Sequence, residues 1–317
     1  MKHLGWGYLF LSLGQVSIAC NVITGKILNQ SMPVFTYVGA RFFISMLIFG
    51  CLKIHYKAGI AKAGEVLSRK DWLMLLGQAM TAGLLFNVLF FTGLDYTTAT
   101  SAGIIASTLP GVLAVLAFII LGERIDQYGL LGILLSVMGI LIISLDNKGA
   151  GSTQGSFLGD FLIFLSIVPE AYYSILGKQI GRKVTIIGSA FIVNLFAFIM
   201  LIPFMVYGLY TSDPSTWPLS NYPLIFVGGL TSVTFFIFWC RGLELVPANT
   251  AGIFGGVLPV STCIMAVVFL GESFSWYDAC GILCVFAALY MGAESNRKAN
   301  SRSLPSFTKP SEKEASL

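Results

Sequence analysis

Two stretches of this chain are copies of one apolar unit. GLDYTTATSAGIIASTLPGVLAVLAFIILGER fills positions 93–124, and GLELVPANTAGIFGGVLPVSTCIMAVVFLGES fills 242–273. A gapless offset of 149 matches Gly93, Leu94, Ala99, Ala102, Gly103, Ile104, Leu109, Pro110, Ala117, Leu121, Gly122 and Glu123, twelve of thirty-two positions. Leucine-rich stretches coincide by chance, but a shared Ala-Gly-Ile, a shared internal proline and a shared Leu-Gly-Glu end indicate duplication. Many membrane carriers are built from such doubled units, so the repeat bears on fold and function together.

The solvent of this unit is lipid. Hydrophobic residues are 56% of the chain and charged residues 11%, with a mean hydropathy of +0.82. A soluble domain carries about 25% charged residues. Crossing a bilayer takes about 20 apolar residues. Ten stretches qualify: 6–28, 34–52, 72–93, 98–121, 128–145, 157–176, 185–207, 224–243, 248–270 and 276–292. Their continuous rather than alternating apolarity favours helices over a membrane barrel.

Lys and Arg set the orientation. With the N-terminus inside, sixteen fall in cytoplasmic segments, Lys26 and Lys148 fall outside, and Arg41 lies within span 2. This is a strong positive-inside bias, and a basic tail that returns inside supports an even span count. The net charge of +4 therefore reports topology and not nucleic-acid binding. The Ser-rich tail 294–317 reads as disordered and cytoplasmic.

All six cysteines fall in or at the ends of apolar spans, so no disulfide framework is expected. Cys280 and Cys284 share a helix face without a nearby His, which reads as packing and not as a metal site. Ser17–Cys20 looks faintly like a lipoprotein cleavage box, but the apolar run continues to Leu28, as in a retained span.

Five spans in each half make the second half enter the membrane inverted, with a pseudo-twofold axis in the membrane plane. The expected domains are a first repeat at 1–146, a Gly/Ser-rich linker at 147–156, a second repeat at 157–293, and the tail. Weaker echoes extend the repeat. Gly25-Lys26 recurs as Gly177-Lys178 at an offset of 152, and spans 5 and 10 share Tyr128/Tyr277 and a Gly-Ile-Leu run.

The polar residues at membrane depth are the candidate site. Glu170 follows Pro169 two-thirds along span 6, and an ionisable group there faces a cavity or a partner. It suits the cationic part of a substrate or a transported proton; a structural hydrogen-bonding role near the cytoplasmic end is the alternative. Arg41 could clamp a carboxylate or phosphate, or instead snorkel to the outer interface or cap a helix. Gln15, Asn21, Gln78, Asn87, Tyr173, Trp239 and Asn249 complete the candidate lining, although such groups also serve as interhelical glue. Pro110 and Pro259, mid-span in spans 4 and 9, read with Pro169 as hinges or cavity-shaping kinks. Each frees a carbonyl one turn back for a hydroxyl or a substrate to fill.

Twin Ala-x-x-x-Gly, Leu-Pro and Leu-Gly-Glu segments, with an Arg in span 2 after Pro33, resemble the EamA-like branch of the drug/metabolite transporter superfamily over about residues 6–293. The resemblance implies an all-α membrane protein of ten transmembrane helices as two inverted five-helix repeats, both termini cytoplasmic. It also implies a central cavity lined mainly by helices 1, 3, 4, 6, 8 and 9, and substrates that are small metabolites. Where this chain has Glu170, the family often has an aromatic residue, so no relative's substrate carries over.

Enzyme motifs are missing. His3 and His55 are the only histidines, and there is no H-E-x-x-H, G-x-S-x-G or Walker loop. Without an ATPase, transport must run on a gradient, exchange or a partner. The expectation is a secondary transporter of a small polar metabolite, an amino acid or derivative first, in a multi-pass cell membrane. It would work by alternating access, as monomer or homodimer, with protons a candidate coupling ion and no cofactor or metal. A membrane sensor or assembly factor reusing the fold is the alternative.

Overall fold

A computed structural model describes residues 2–122, 126–146, 157–246 and 254–303. The elements are α1 (Lys2–Asn29), α2 (Val34–His55), α3 (Arg69–Tyr96), α4a (Ala99–Ala106), α4b (Leu109–Leu121), α5 (Gln127–Asp146), α6 (Phe157–Ile180), α7 (Ile186–Thr211), α8 (Asn221–Leu245), α9 (Phe254–Leu270) and α10 (Trp276–Ser303). The chain is a multi-pass, all-helical membrane protein. Among the described residues eight helices are long and apolar enough to cross a membrane, and 127–143 and 254–270 are shorter apolar helices. Many large apolar side chains on the outer surface, such as Ile119 at 67% and Phe269 at 67% exposed, fit a lipid solvent and not water.

α10 continues past Glu294 to Ser303, so 294–303 are helical where the sequence suggests disorder. The rest of the tail and the linker 147–156 lie outside the described residues.

Packing couples the two halves of the chain. The most extensive interfaces are α1 with α8, α5 with α10, α2 with α7 and α3 with α6; α4a packs on α9. Each of the four pairs runs antiparallel. Along α2 and α7, Phe35 meets Phe204 at 5.2 Å, Phe43 meets Phe198 at 5.1 Å, and Gly50 meets Phe191. Along α1 and α8, Phe10 stacks on Phe238 at 5.9 Å and Asn21 bonds Gly228. Gly132 and Gly139 of α5 lie against Ala288 and Cys284, and Gly77 and Gly93 of α3 against Leu176 and Gly159. Glycine matters most at Gly103, where an added Cβ would sit 2.6 Å from the Thr262 Cβ. That contact lets α4a and α9 approach closely.

The two ends of the bundle differ. At the end holding the α1–α2 and α3–α4a turns, one continuous cluster of buried side chains joins α1, α2, α3, α4a, α6, α7, α8 and α9, from Val22 and Tyr37 through Phe91 and Ala102 to Ile167 and Ala266. At the opposite end the buried side chains fall into separate groups, one around Leu75, Ile180 and Val193, and another around Leu11 and Val246. A short bridge ties two loops together there: Ala61 pairs with Val184, Lys62 N–H donates to Lys183 O at 2.8 Å, and Thr185 N–H to Ile60 O at 2.9 Å. Lys183 closes it by pairing with Asp71 at 2.9 Å.

Both copies of the Leu-Gly step end a helix the same way. Gly122 and Gly271 each have φ of 67°, the left-handed cap that glycine adopts without Cβ strain.

Candidate functional site

The polar residues inside the bundle converge because α3 is not a regular helix. Ala79–Leu85 is a π-helical segment, a local widening found often at functional sites. The Asn87 amide donates to Ala82 O at 2.7 Å and Gly83 O at 2.9 Å. Those two bonds fix the amide so that its oxygen faces Arg41 and accepts from Nη2. On the other side, Arg41 Nη1 donates to Asn21 Oδ1 at 3.3 Å and Ser232 Oγ at 3.1 Å. Asn21 is held in turn by donating to Gly228 O at 3.0 Å and Ser232 Oγ at 3.0 Å. The guanidinium lies 4.9 Å from the Phe42 ring centre and 5.8 Å from that of Phe91.

Every acceptor on Arg41 among the described residues is neutral, and its buried Nε has no partner. A buried cation normally requires an anion. Here the charge opens onto a cavity of about 190 Å³ lined by Asn21, Arg41 and Asn87 at one side, Glu170 from α6, and Phe86, Phe90 and Phe235. Among the described residues the Glu170 carboxylate forms no hydrogen bond or ion pair, although it lines the same cavity as Arg41. Cation and anion thus share one cavity without neutralising each other by contact. The volume is below the about 300–1,000 Å³ of drug-sized ligand sites.

The α4 break also meets this cavity. The helix stops at Ala106 and restarts at Leu109, so Pro110 sits in the first turn of α4b and not in mid-helix. Ser107 Oγ donates to Gly103 O at 2.8 Å and Thr108 Oγ1 to Ile105 O at 2.7 Å. Those hydroxyls fill neighbouring carbonyls, whereas the Ala106 carbonyl, whose helical donor would be Pro110, has no donor among the described residues. Ala106 lines the cavity. Non-helical backbone at membrane depth is tolerated where it borders water or ligand. Pro259 likewise lies in the first turn of Val257–Met265, after the 3₁₀ turn Phe254–Gly256, and is not a mid-helix kink. Pro169 is inside continuous α6, one residue before Glu170.

Of the candidates from sequence, the structure brings Asn21, Arg41, Asn87 and Glu170 together. Arg41 neither snorkels nor caps a helix. Gln15 and Gln78 are buried between helices, the latter against Gly177. Tyr173 packs on the cluster around Leu75, and Trp239 on Leu11 and Val246. None of these four lines the cavity. Asn249 lies outside the described residues. The lining helices are α1, α2, α3, α4a, α6 and α8; α2 enters because Arg41 is long, and the described part of α9 is taken up by α4a. Sequence reading missed Thr231 and Ser232, whereas the Ala106 carbonyl is the one expected to be freed one turn before Pro110. The polar register of α8 facing Asn21 was the available signal.

Comparison with known proteins decides the family. The EamA-like transporter family matches twice, over residues 5–145 and 157–292. The chain belongs to the EamA-like transporter family. An uncharacterized transporter, YetK of Bacillus subtilis, is 32% identical over 298 residues, 92% of this chain and 87% of that protein. An S-adenosylmethionine uptake transporter of Rickettsia bellii is 34% identical over 123 residues, 38% of this chain and 39% of its own. A crystal structure superposes with a TM-score of 0.61 at 15% identity, covering 94% of this chain and 99% of the other, which speaks for the fold alone. These relatives point to transport and not to an enzyme.

Proposed function

We propose that the protein is a secondary transporter of a small zwitterionic metabolite, an amino acid or close derivative, working by alternating access from two inverted five-helix repeats. The observation that carries this reading is the pair of opposite charges in one small cavity, where among the described residues Arg41 is held only by neutral acceptors and Glu170 by none. A substrate carboxylate would complete the Arg41 fork through its idle Nε. A substrate ammonium would face Glu170 and the free Ala106 carbonyl, with the apolar body against Phe86, Phe90 and Phe235. The substrate named for the Rickettsia relative also carries an α-amino and an α-carboxyl group, which supports the class.

The inverted repeat is supported by the antiparallel run of α2 against α7 and α5 against α10, which occupy equivalent places in the two halves. Parallel repeats would make them parallel. The Lys and Arg distribution supports cytoplasmic termini, and a cavity closed at the outer end and divided at the inner end then reads as inward-facing.

The test is counterflow into proteoliposomes of a panel of labelled amino acids and derivatives, with the parent protein and Glu170→Gln. Saturable flux of a zwitterion, reduced for Glu170→Gln, is expected. No flux of any compound by folded protein would transfer the reading to a sensor. Full pH-gradient dependence retained by Glu170→Gln would remove that residue as the proton site.

A further inference from the structure

The sealed end of the bundle holds charged groups that the cavity does not use. Lys26 is 7% exposed. Its ammonium donates to the carbonyls of Leu94 and of Thr97, the latter at 2.7 Å, at the C-terminal end of α3. Asn29 adds a bond to Phe91 O at 2.9 Å. Just across the turn, Glu272 takes the N-terminus of α4a: its carboxylate accepts from Ala99 N–H at 2.7 Å, Thr100 N–H at 3.0 Å and Thr100 Oγ1 at 2.8 Å. Thr98 Oγ1 accepts the Ser101 N–H at 3.0 Å, so the first helical N–H groups all have partners. One turn between two helices is therefore gripped from both sides, by a cation at a helix C-terminus and an anion at a helix N-terminus, each in the favourable sense of the helix dipole.

The two grips depend on each other. Lys26 holds the Leu94 and Thr97 carbonyls, and Glu272 holds the Ala99 and Thr100 N–H groups, so both grips close on the same short turn. Moving α9 away would take the cap off α4a and loosen the turn whose carbonyls Lys26 holds, so the two sets of contacts are coupled through that turn. We infer that Lys26 and Glu272 form a latch that holds the outer end of the carrier shut, and that its release is what turns the cavity outward. This rests on the carrier reading and on the N-terminus being inside.

The duplication supplies the counterpart. Gly25-Lys26 recurs as Gly177-Lys178, and at the 149 offset Leu94 and Thr97 recur as Leu243 and Val246. The acceptors are main-chain carbonyls, so the change from Thr to Val is no obstacle. In this structure Lys178 is exposed at the divided end. Inversion assigns it the matching bonds to the end of α8 when the inner face closes and the outer one opens.

The test measures which side reaches the cavity. In a chain whose six cysteines are replaced by alanine, Ile18→Cys places a thiol on the cavity wall, and its labelling by a membrane-impermeant thiosulfonate is timed in right-side-out and inside-out vesicles. Ser215→Cys, in the α7–α8 loop, reports orientation separately. A buried charge-assisted hydrogen bond is worth enough that Lys26→Met or Glu272→Gln should raise the outer-to-inner labelling ratio about tenfold or more. Lys26→Arg should return it toward the parent, and Lys178→Met should move it the other way. Unchanged ratios in Lys26→Met and Glu272→Gln, with thermal unfolding like that of the parent, would overturn the latch. Labelling of Ser215→Cys from the inner side would instead overturn the orientation, leaving the latch to be judged by the change in ratio alone.

Discussion

Asn21→Asp tests the site with almost no change of shape. The new carboxylate would stand where Asn21 Oδ1 now lies, 3.3 Å from Arg41 Nη1. The neighbouring Thr231 and Ser232 hydroxyls, now acceptors from the Asn21 amide, can rotate to donate. The contact with Gly228 O turns unfavourable, and the two hydroxyls give up their own bonds to Gly228 O in rotating. Unit charges about 4 Å apart attract by about 4 kcal/mol at an effective dielectric near 20. That attraction would neutralise a guanidinium that has no paired anion among the described residues and outweigh the bonds lost at Gly228 O, so the fold should hold. The substrate would lose what the Asp gains, less the hydrogen bonds it still makes to Nε. A net loss of about 2 kcal/mol corresponds to a rise of about thirtyfold in the half-saturation concentration. The assay is proteoliposome counterflow against concentration, beside thermal unfolding of the purified protein. The expected result is an unfolding temperature at or above the parent's with weakened uptake of carboxylate-bearing substrates, and amines lacking the carboxylate spared. Unchanged half-saturation in Asn21→Asp would refute Arg41 as the anion-binding group.

Pro110→Ala restores an N–H able to reach the Ala106 carbonyl. One added hydrogen bond of about 1 kcal/mol would shift the population toward a continuous α4 about fivefold; transport should slow while unfolding temperature holds or rises, and unchanged transport would show that the break is mere packing. Gly103→Ala should destabilise by about 1–3 kcal/mol because its Cβ meets Thr262, whereas Gly292→Ala, with nothing within 4 Å, should be neutral or slightly stabilising. Fluorescence-monitored unfolding of the two variants separates them, and equal effects would argue against close α4a–α9 packing.

Depth in the membrane was legible in the sequence, and azimuth was not. Apolar run lengths placed the helices within a few residues, and the polar residues at depth included Asn21, Arg41, Asn87 and Glu170. Gln15, Gln78, Tyr173 and Trp239 looked equivalent because a run of apolar residues does not say which face of a helix turns inward. That face is chosen by the partner helix, which lies in the other half of the chain. Ser232 was easy to pass over because a membrane serine usually bonds its own helix, as this one does to Gly228 O at 2.9 Å. The π-helical segment was silent, since Ala79–Leu85 reads as ordinary helix. The prolines marked the breaks: the α4 interruption at Ser107-Thr108 falls within the turn before Pro110, where a missing N–H acts.

The separation in sequence between Arg41 and its partners sets a problem for synthesis. The Asn21 and Asn87 contacts of Arg41 arise within the first half, but Ser232 lies 191 residues further on and Gly228, which steadies Asn21, lies 207 residues beyond it. A ribosome must therefore deliver α1, α2 and α3 into the bilayer long before α8 exists to receive them. Until then a guanidinium and two amides are left to the nascent chain's surroundings, so the early intermediate is a natural client for an insertase or membrane chaperone that shelters polar groups.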